Sequence, residues 1–320
     1  MENRCGRRRT ATLGVLATLA AGALTALSPA GAGAAQDVEA LGRNTIAFSS
    51  LRDGNDEIYV MNIDGSGERQ LTNGPGFDTA PALSPDRRLI AFASDRSGQM
   101  QIYTMATDGS AVRNVSNSGS FDFYPSWFHD GSRILFQRLD PASGFDLWVM
   151  DADGSNQRRL TSLPANEVGA SVAPDDSTVL FTGNNGASRD LWTVPADGGH
   201  PVNITASTCI EGTDPCQLAT DFQQNWTPES RIVFYSDRSG AAEFWTMAAD
   251  GTHPRLIIEL GLATVGAPSV SPNGKSITFI SDLDDPGAAR STYTVRSDGT
   301  HLRRLTTTDD LHPKFAPTTR

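Results

Sequence analysis

Ile102-Tyr103-Thr104-Met105-Ala106-Thr107-Asp108-Gly109 is a short alternating run that ends in an Asp-Gly turn, and it decides the fold because it returns five more times. The cognate runs are Ile58-Tyr59-Val60-Met61, Leu147-Trp148-Val149-Met150, Leu191-Trp192-Thr193-Val194, Phe244-Trp245-Thr246-Met247 and Tyr293-Thr294-Val295. Their turns are Asp64-Gly65, Asp153-Gly154, Asp197-Gly198, Asp250-Gly251 and Asp298-Gly299. Alternation with period two, carried by β-branched and aromatic residues, reads as strand rather than helix.

Two further strands precede each of these runs in the repeat and one follows. A Pro-started run opens the unit, as in Pro81-Ala82-Leu83-Ser84-Pro85-Asp86, Pro125 to Asp130 and Pro268 to Asn273. Nine residues after that Pro comes an Ile-x-Phe strand, beginning at Ile90, Ile134 and Ile277. Past the Asp-Gly turn a fourth strand ends at Leu71-Thr72, Val115-Ser116, Leu160-Thr161, Ile204-Thr205 and Leu305-Thr306. Four strands in a unit of about 40–45 residues describe a β-propeller blade, whose sheet cannot bury both faces without neighbours.

Six Ile-x-Phe type strands occur, at Ile46, Ile90, Ile134, Val179, Ile232 and Ile277, but the first has no Pro-started strand ahead of it. Pro313-Lys314-Phe315-Ala316-Pro317 supplies one from the other end of the chain. The expectation is an all-β, six-bladed propeller of four-stranded antiparallel blades. It closes when the C-terminal strand pairs with the N-terminal strands, which removes two open sheet edges.

The chain reads as an export signal over residues 1–35, a short linker over 36–43 and the propeller over 44–320, with an inserted loop at 206–221. Arg7, Arg8 and Arg9 precede an apolar stretch from Ala11 to Leu27, and small residues from Ala30 to Ala35 offer cleavage sites. The apolar stretch is short and broken by Gly14 and Gly22, so a removable signal is expected rather than a transmembrane span. The expected location is periplasmic or extracellular. Residues 1–35 hold four Arg and one Glu of the 26 basic and 37 acidic residues, so their removal leaves 22 against 36, a net charge of −14. Such a chain lacks the cationic surface that nucleic acid binding needs, and a monomer is expected.

Cys5 falls within the signal, and Cys209 and Cys216 fall in the inserted loop. After export these two are expected to form a local disulfide. An acid stands three residues before the Pro position in five of six blades: Asp78, Asp122, Glu167, Asp221 and Asp310, with Val265 in the sixth. Two roles fit a repeated acid in a crossover. The five carboxylates line a channel mouth, where Asp122, Asp221 and Asp310 would hold a divalent cation such as Ca2+, or each accepts hydrogen bonds within its own crossover. Phe123 and Tyr124 are the aromatic candidates for ligand contact beside these acids. His312 is a single acid/base candidate. No catalytic motif is present: there is no Gly-x-Ser-x-Gly elbow, and no cofactor is required by any pattern in the sequence.

The phrases Ser84-Pro85-Asp86, Ile90-Ala91-Phe92-Ala93-Ser94-Asp95-Arg96-Ser97-Gly98, Ile102-Tyr103-Thr104-Met105 and Thr107-Asp108-Gly109-Ser110 resemble those of the TolB-type, WD-repeat-like propellers. The resemblance runs from Asn44 to Pro317. It implies a protein-binding scaffold of the cell envelope whose partner is an envelope or secreted protein, or else a peptide or glycan. TolB carries a smaller mixed domain before its propeller, and only residues 36–43 lie between the expected cleavage region and the first blade here. The alternative function is a carbohydrate-binding, lyase or hydrolase propeller that works through the mouth carboxylates and a cation.

Overall fold

The computed structural model describes residues 38–317 except 165, 185–188, 207–208, 210–211, 213–218, 242, 262–264, 286 and 288. Its strands form six four-stranded antiparallel sheets, the blades of a closed propeller. In blades two to six the inner strands are Asp78–Leu83, Asp122–Trp127, Glu167–Val172, Asp221–Trp226 and Val265–Val270. The first blade takes its inner strand, Asp310–Phe315, from the far end of the chain and pairs it with Thr45–Ser50. Ile46 lies opposite Phe315 and Ala47 opposite Lys314, which is the closure expected from the orphan strand at Ile46.

The core lies between blades rather than within them. Ala47, Ile58 and Val60 of the first blade pack on Leu83, Phe92 and Tyr103 of the second. The second and third strands of each blade are apolar on both faces for this reason, as the buried Ile90, Ala91, Phe92 and Ala93 show. The outermost strands are two residues long in five blades, and Arg69, Arg113, Arg158 and Arg303 begin four of them. Short, charged edges resist pairing with another chain.

Glycine in the Asp-Gly turn also joins blades. Gly109 has φ of 90°, and a Cβ there would lie 2.6 Å from the carbonyl oxygen of Leu71 in the preceding blade. Gly154 sits against the Val115 carbonyl in the same way. The aspartate of the turn accepts the N–H of the residue two positions on, at 2.9 Å from Ser66 to Asp64 and from Ser110 to Asp108.

Every inner strand carries a β-bulge, and this corrects the reading of the strand as starting at its Pro. The strand starts at the acid three residues earlier, and register slips between Thr79 and Ala82, Phe123 and Ser126, Val168 and Ser171, Phe222 and Asn225, and Gly266 and Ser269. The residue at the slip is left-handed in all six blades: Ala80, Tyr124, Gly169, Gln223, Ala267 and His312 have φ between 50° and 66°. In four blades the next residue is Pro, which has no N–H for the ladder and is tolerated at a bulge.

Residues 38–43, read as a linker, dock on the second blade. The Leu41 N–H donates to the Arg87 carbonyl at 3.0 Å, and the Arg87 Nε returns a bond to the Leu41 carbonyl at 2.9 Å. Cys209 is disulfide-bonded. Cys216 and most of the inserted loop lie outside the described residues.

Candidate functional site: the central channel

The bulges determine what faces the channel. They turn Ala80, Tyr124, Gly169 and His312 to its wall, and the next inward position holds Ala82, Ser126, Ser171, Asn225, Ser269 and Lys314. All six blades contribute to this lower ring, which lines a cavity of about 120 Å³. Tyr124 and His312 belong to blades separated by one, yet their rings meet edge-on with centroids 5.1 Å apart. The small Ala80 of the intervening blade leaves room for that contact.

The five acids do not form an open ring. Their side chains are 0–1% exposed, buried among the blades on the opposite alternation from the channel positions. Asp78 accepts from Arg96 at 2.7 Å, Asp122 from Arg138 at 2.7 Å, Asp221 from Arg238 at 3.0 Å and Asp310 from Arg52 at 3.2 Å. Each Arg also covers two aromatic rings of its own blade. Arg52 lies 4.4 Å from the Tyr59 centroid, Arg96 5.2 Å from Phe92 and from Tyr103, Arg138 4.5 Å from Trp148 and Arg238 4.9 Å from Phe234.

Glu167 has no Arg and instead accepts from the Thr161 hydroxyl and from the Leu163 and Leu147 N–H groups of the preceding blade. Burial pushes the Glu167 and Asp221 carboxyls up from their usual values. The sixth blade accounts for the break at Val265: Leu283 occupies the position of the arginine, and both pack into an apolar cluster. In that blade acid and arginine are both replaced by apolar residues. Among the described residues no group of three or more His, Cys, Asp and Glu side chains is placed to hold a metal ion. Asp122, Glu167 and Asp310 accept from the Ser118, Thr161 and Thr308 hydroxyls of the crossovers that lead into them, and Asp78 and Asp221 accept from Arg96 and Arg238.

Charge in the channel is of the other sign. Lys314 is the single Lys, Arg, Asp or Glu in the cavity lining. Burial lowers its amine from the usual 10.5 to about 8. Burial, together with Lys314 and Arg290, lowers His312 to about 4, so its imidazole is neutral at pH 7. The His312 Nδ1 lies 3.5 Å from the Thr79 hydroxyl, behind which Asp56 is raised to about 6, chiefly by burial.

Around the crossover mouth, aromatic side chains are exposed. Phe77 and Phe121, each immediately before its blade's acid, are 47% and 44% exposed, and Tyr124 is 39% exposed. Phe123 is more enclosed, tilted against Tyr124 and edge-on to Phe145. Sequence reasoning placed Phe123 with Tyr124 as contact residues and passed over Lys314, although Lys275 and Lys314 are the two lysines of the chain.

Comparison with known proteins agrees with this architecture. Residues 40–211 match the family model of the TolB beta propeller domain. The chain belongs to this TolB propeller family. An uncharacterised protein of Agrobacterium fabrum is 36% identical over 138 residues, 42% of this chain and 47% of its own length. The match therefore spans about half of that relative. The crystal structure of TolB from Acinetobacter baumannii superposes with a TM-score of 0.67 at 18% identity, covering 86% of this chain and 67% of that one. Oligogalacturonate lyase from Vibrio parahaemolyticus superposes at 0.57 with 14% identity, covering 83% and 76%. Identities this low speak for the shared fold of the TolB-type propeller and not for a shared activity.

Proposed function

We propose that this TolB-family propeller is an exported, non-catalytic scaffold that binds another protein of the envelope or the extracellular space through its crossover face. The observation that carries this reading is the exposed aromatic rim of Phe77, Phe121 and Tyr124 around the channel mouth. Phe77 and Phe121 stand one residue ahead of their inner strands and Tyr124 at the bulge within one, and large aromatic side chains are enriched in the buried cores of protein interfaces. The neighbouring acids are committed to arginines, which leaves contact rather than proton transfer as the chemistry of the rim. Export rests on the basic and apolar character of residues 1–35.

The test is affinity capture from envelope extract of the producing cell, with the full chain beside a variant carrying Phe77→Ser and Phe121→Ser. Both lie at the surface, so the variant is expected to fold, as checked by circular dichroism. A protein retained by the wild type, lost by the variant, and bound again when purified supports the reading. Failure to retain any protein, with binding or turnover on a glycan panel, replaces it with the carbohydrate reading. N-terminal sequencing of the protein recovered outside the cytoplasm tests export, with a start near residue 36 expected.

A further inference from the structure

A protein of strongly negative net charge has placed one of its two lysines inside its central channel. Among the described residues the Lys314 amine forms no hydrogen bond or ion pair, whereas Arg52, Arg96, Arg138 and Arg238 are all paired with buried acids. Apart from Ala82, the rest of the lower ring is small and polar. Ser171, 6% exposed, has a hydroxyl with no hydrogen-bond partner, and Ser126 and Asn225 face the same cavity. A cation and an unused buried hydroxyl around one space constitute half of a binding site, because buried polar groups are ordinarily satisfied.

We propose that the lower ring of the channel binds a carboxylate, held by the Lys314 ammonium and by the hydroxyl and amide groups of Ser126, Ser171 and Asn225. One half-buried cation favours one anionic charge, since a second would enter the channel unpaired. The cavity of about 120 Å³ admits a carboxylate and few further atoms. The nearest other charged groups suit this assignment. Arg290 acts electrostatically on Tyr124 and His312, the neutral His312 precedes Lys314 by two residues on the closing strand, and Asp56 accepts a hydrogen bond from Thr79. His129, which also lines the cavity, is occupied by Asp176 at 3.2 Å.

A small free acid and the C-terminus of a polypeptide both present this chemistry. In the second case the site deepens the protein-binding reading, with the aromatic rim gripping the chain whose end enters the channel. Binding of a small acid is independent of that reading, so the two can fail separately.

The two lysines make the experiment direct. The full chain is labelled with lysine carrying 13C at Cε, which gives two side-chain signals, and these are assigned with Lys314→Met and Lys275→Arg. Propanoate is expected to move the Lys314 signal saturably and leave Lys275 in place. It is also expected to raise the Lys314 titration midpoint, each unit of pH meaning about tenfold tighter binding to the ammonium form. Propanamide, of the same shape without charge, is expected to do neither. Short peptides ending in a free carboxylate or in an amide separate the two sources: a response to the free terminus far below the propanoate concentration assigns a chain end, and a response to propanoate alone assigns a small acid. Inorganic phosphate binding in preference to propanoate, or a Lys314 signal that no carboxylate moves, would overturn the proposal. The readout is made on the wild-type chain and does not depend on any variant folding.

Discussion

Replacing Lys314 by Met keeps a long unbranched side chain in the channel and removes its charge. At pH 7 the wild type holds an ammonium in a place that disfavours it, as its fall from 10.5 to about 8 records. Converted at 1.36 kcal/mol for each tenfold change, that fall is worth about 3 kcal/mol at most. The part of Lys314 that reaches the channel surface retains some solvation, which reduces the expected stabilisation of Lys314→Met to about 1–2 kcal/mol. Because the folded state releases its proton at lower pH than the unfolded chain, the unfolded state binds more protons between pH 8 and 10.5. Wild-type stability therefore rises with pH across that window, and the advantage of the variant is full below pH 8 and gone above 10.5. Urea denaturation of both proteins in carboxylate-free buffer, followed by tryptophan fluorescence at pH 7 and at pH 10.5, measures the difference at each end. A variant less stable than wild type at pH 7, or a difference that does not change with pH, would refute the reasoning and show that Lys314 is satisfied in the channel.

Asp122→Asn leaves Arg138 buried without its counter-charge and is expected to lower stability by about 3 kcal/mol in urea denaturation, without changing any divalent cation affinity measured by calorimetry. In the sixth blade, Val265→Asp alone is expected to cost about 3 kcal/mol, and addition of Leu283→Arg to recover at least half of it, since the pair would reproduce the arrangement of the other blades. Gly154→Ala places a Cβ at φ of 91° against the Val115 carbonyl and is expected to cost about 2–3 kcal/mol, read as a lower melting temperature. Asp56 titrates at about 6 in the folded protein and at 3.8 ordinarily, so the folded state binds more protons between these values and stability falls as pH rises through them. Asp56→Asn is accordingly expected to add about 1–2 kcal/mol at pH 7 and nothing below pH 4.

The blade count, the strand order and the closure by residues 313–317 were legible because they depend on period-two alternation and on turns that repeat with the blade. The bulge was not. Pro81 and Pro125 look like strand starts in sequence, and only the register shows that the strand begins at Asp78 and Asp122 and folds over an irregularity before the Pro. That one residue decides which side chains face the channel, and the acids, for which a mouth role and a crossover role both fit the sequence, are buried.

Their arginines were equally hidden, since Arg96 and Arg238 lie 18 and 17 residues along the chain from Asp78 and Asp221. In the third blade the partner Arg138 lies 16 residues on, directly opposite Asp122 in the ladder. The sixth blade carried the available signal: the loss of the acid at Val265 coincides with Leu283 where an arginine stands in other blades. Lys314 was visible by scarcity, as one of two lysines among 26 basic residues.

The closing strand has a consequence for how the protein comes into being. Thr45–Ser50 is synthesised first among the strands but hydrogen-bonds on one side to Asp310–Phe315, made last. Until the final residues are available, the first blade has an open inner edge and the sixth has no neighbour to cover its outward core face. Closure therefore hangs on a single strand: without Asp310–Phe315 the first blade keeps an open inner edge, and with it both edges are hidden in one step. Whatever the order in which the other blades fold, the closed state waits for that one strand.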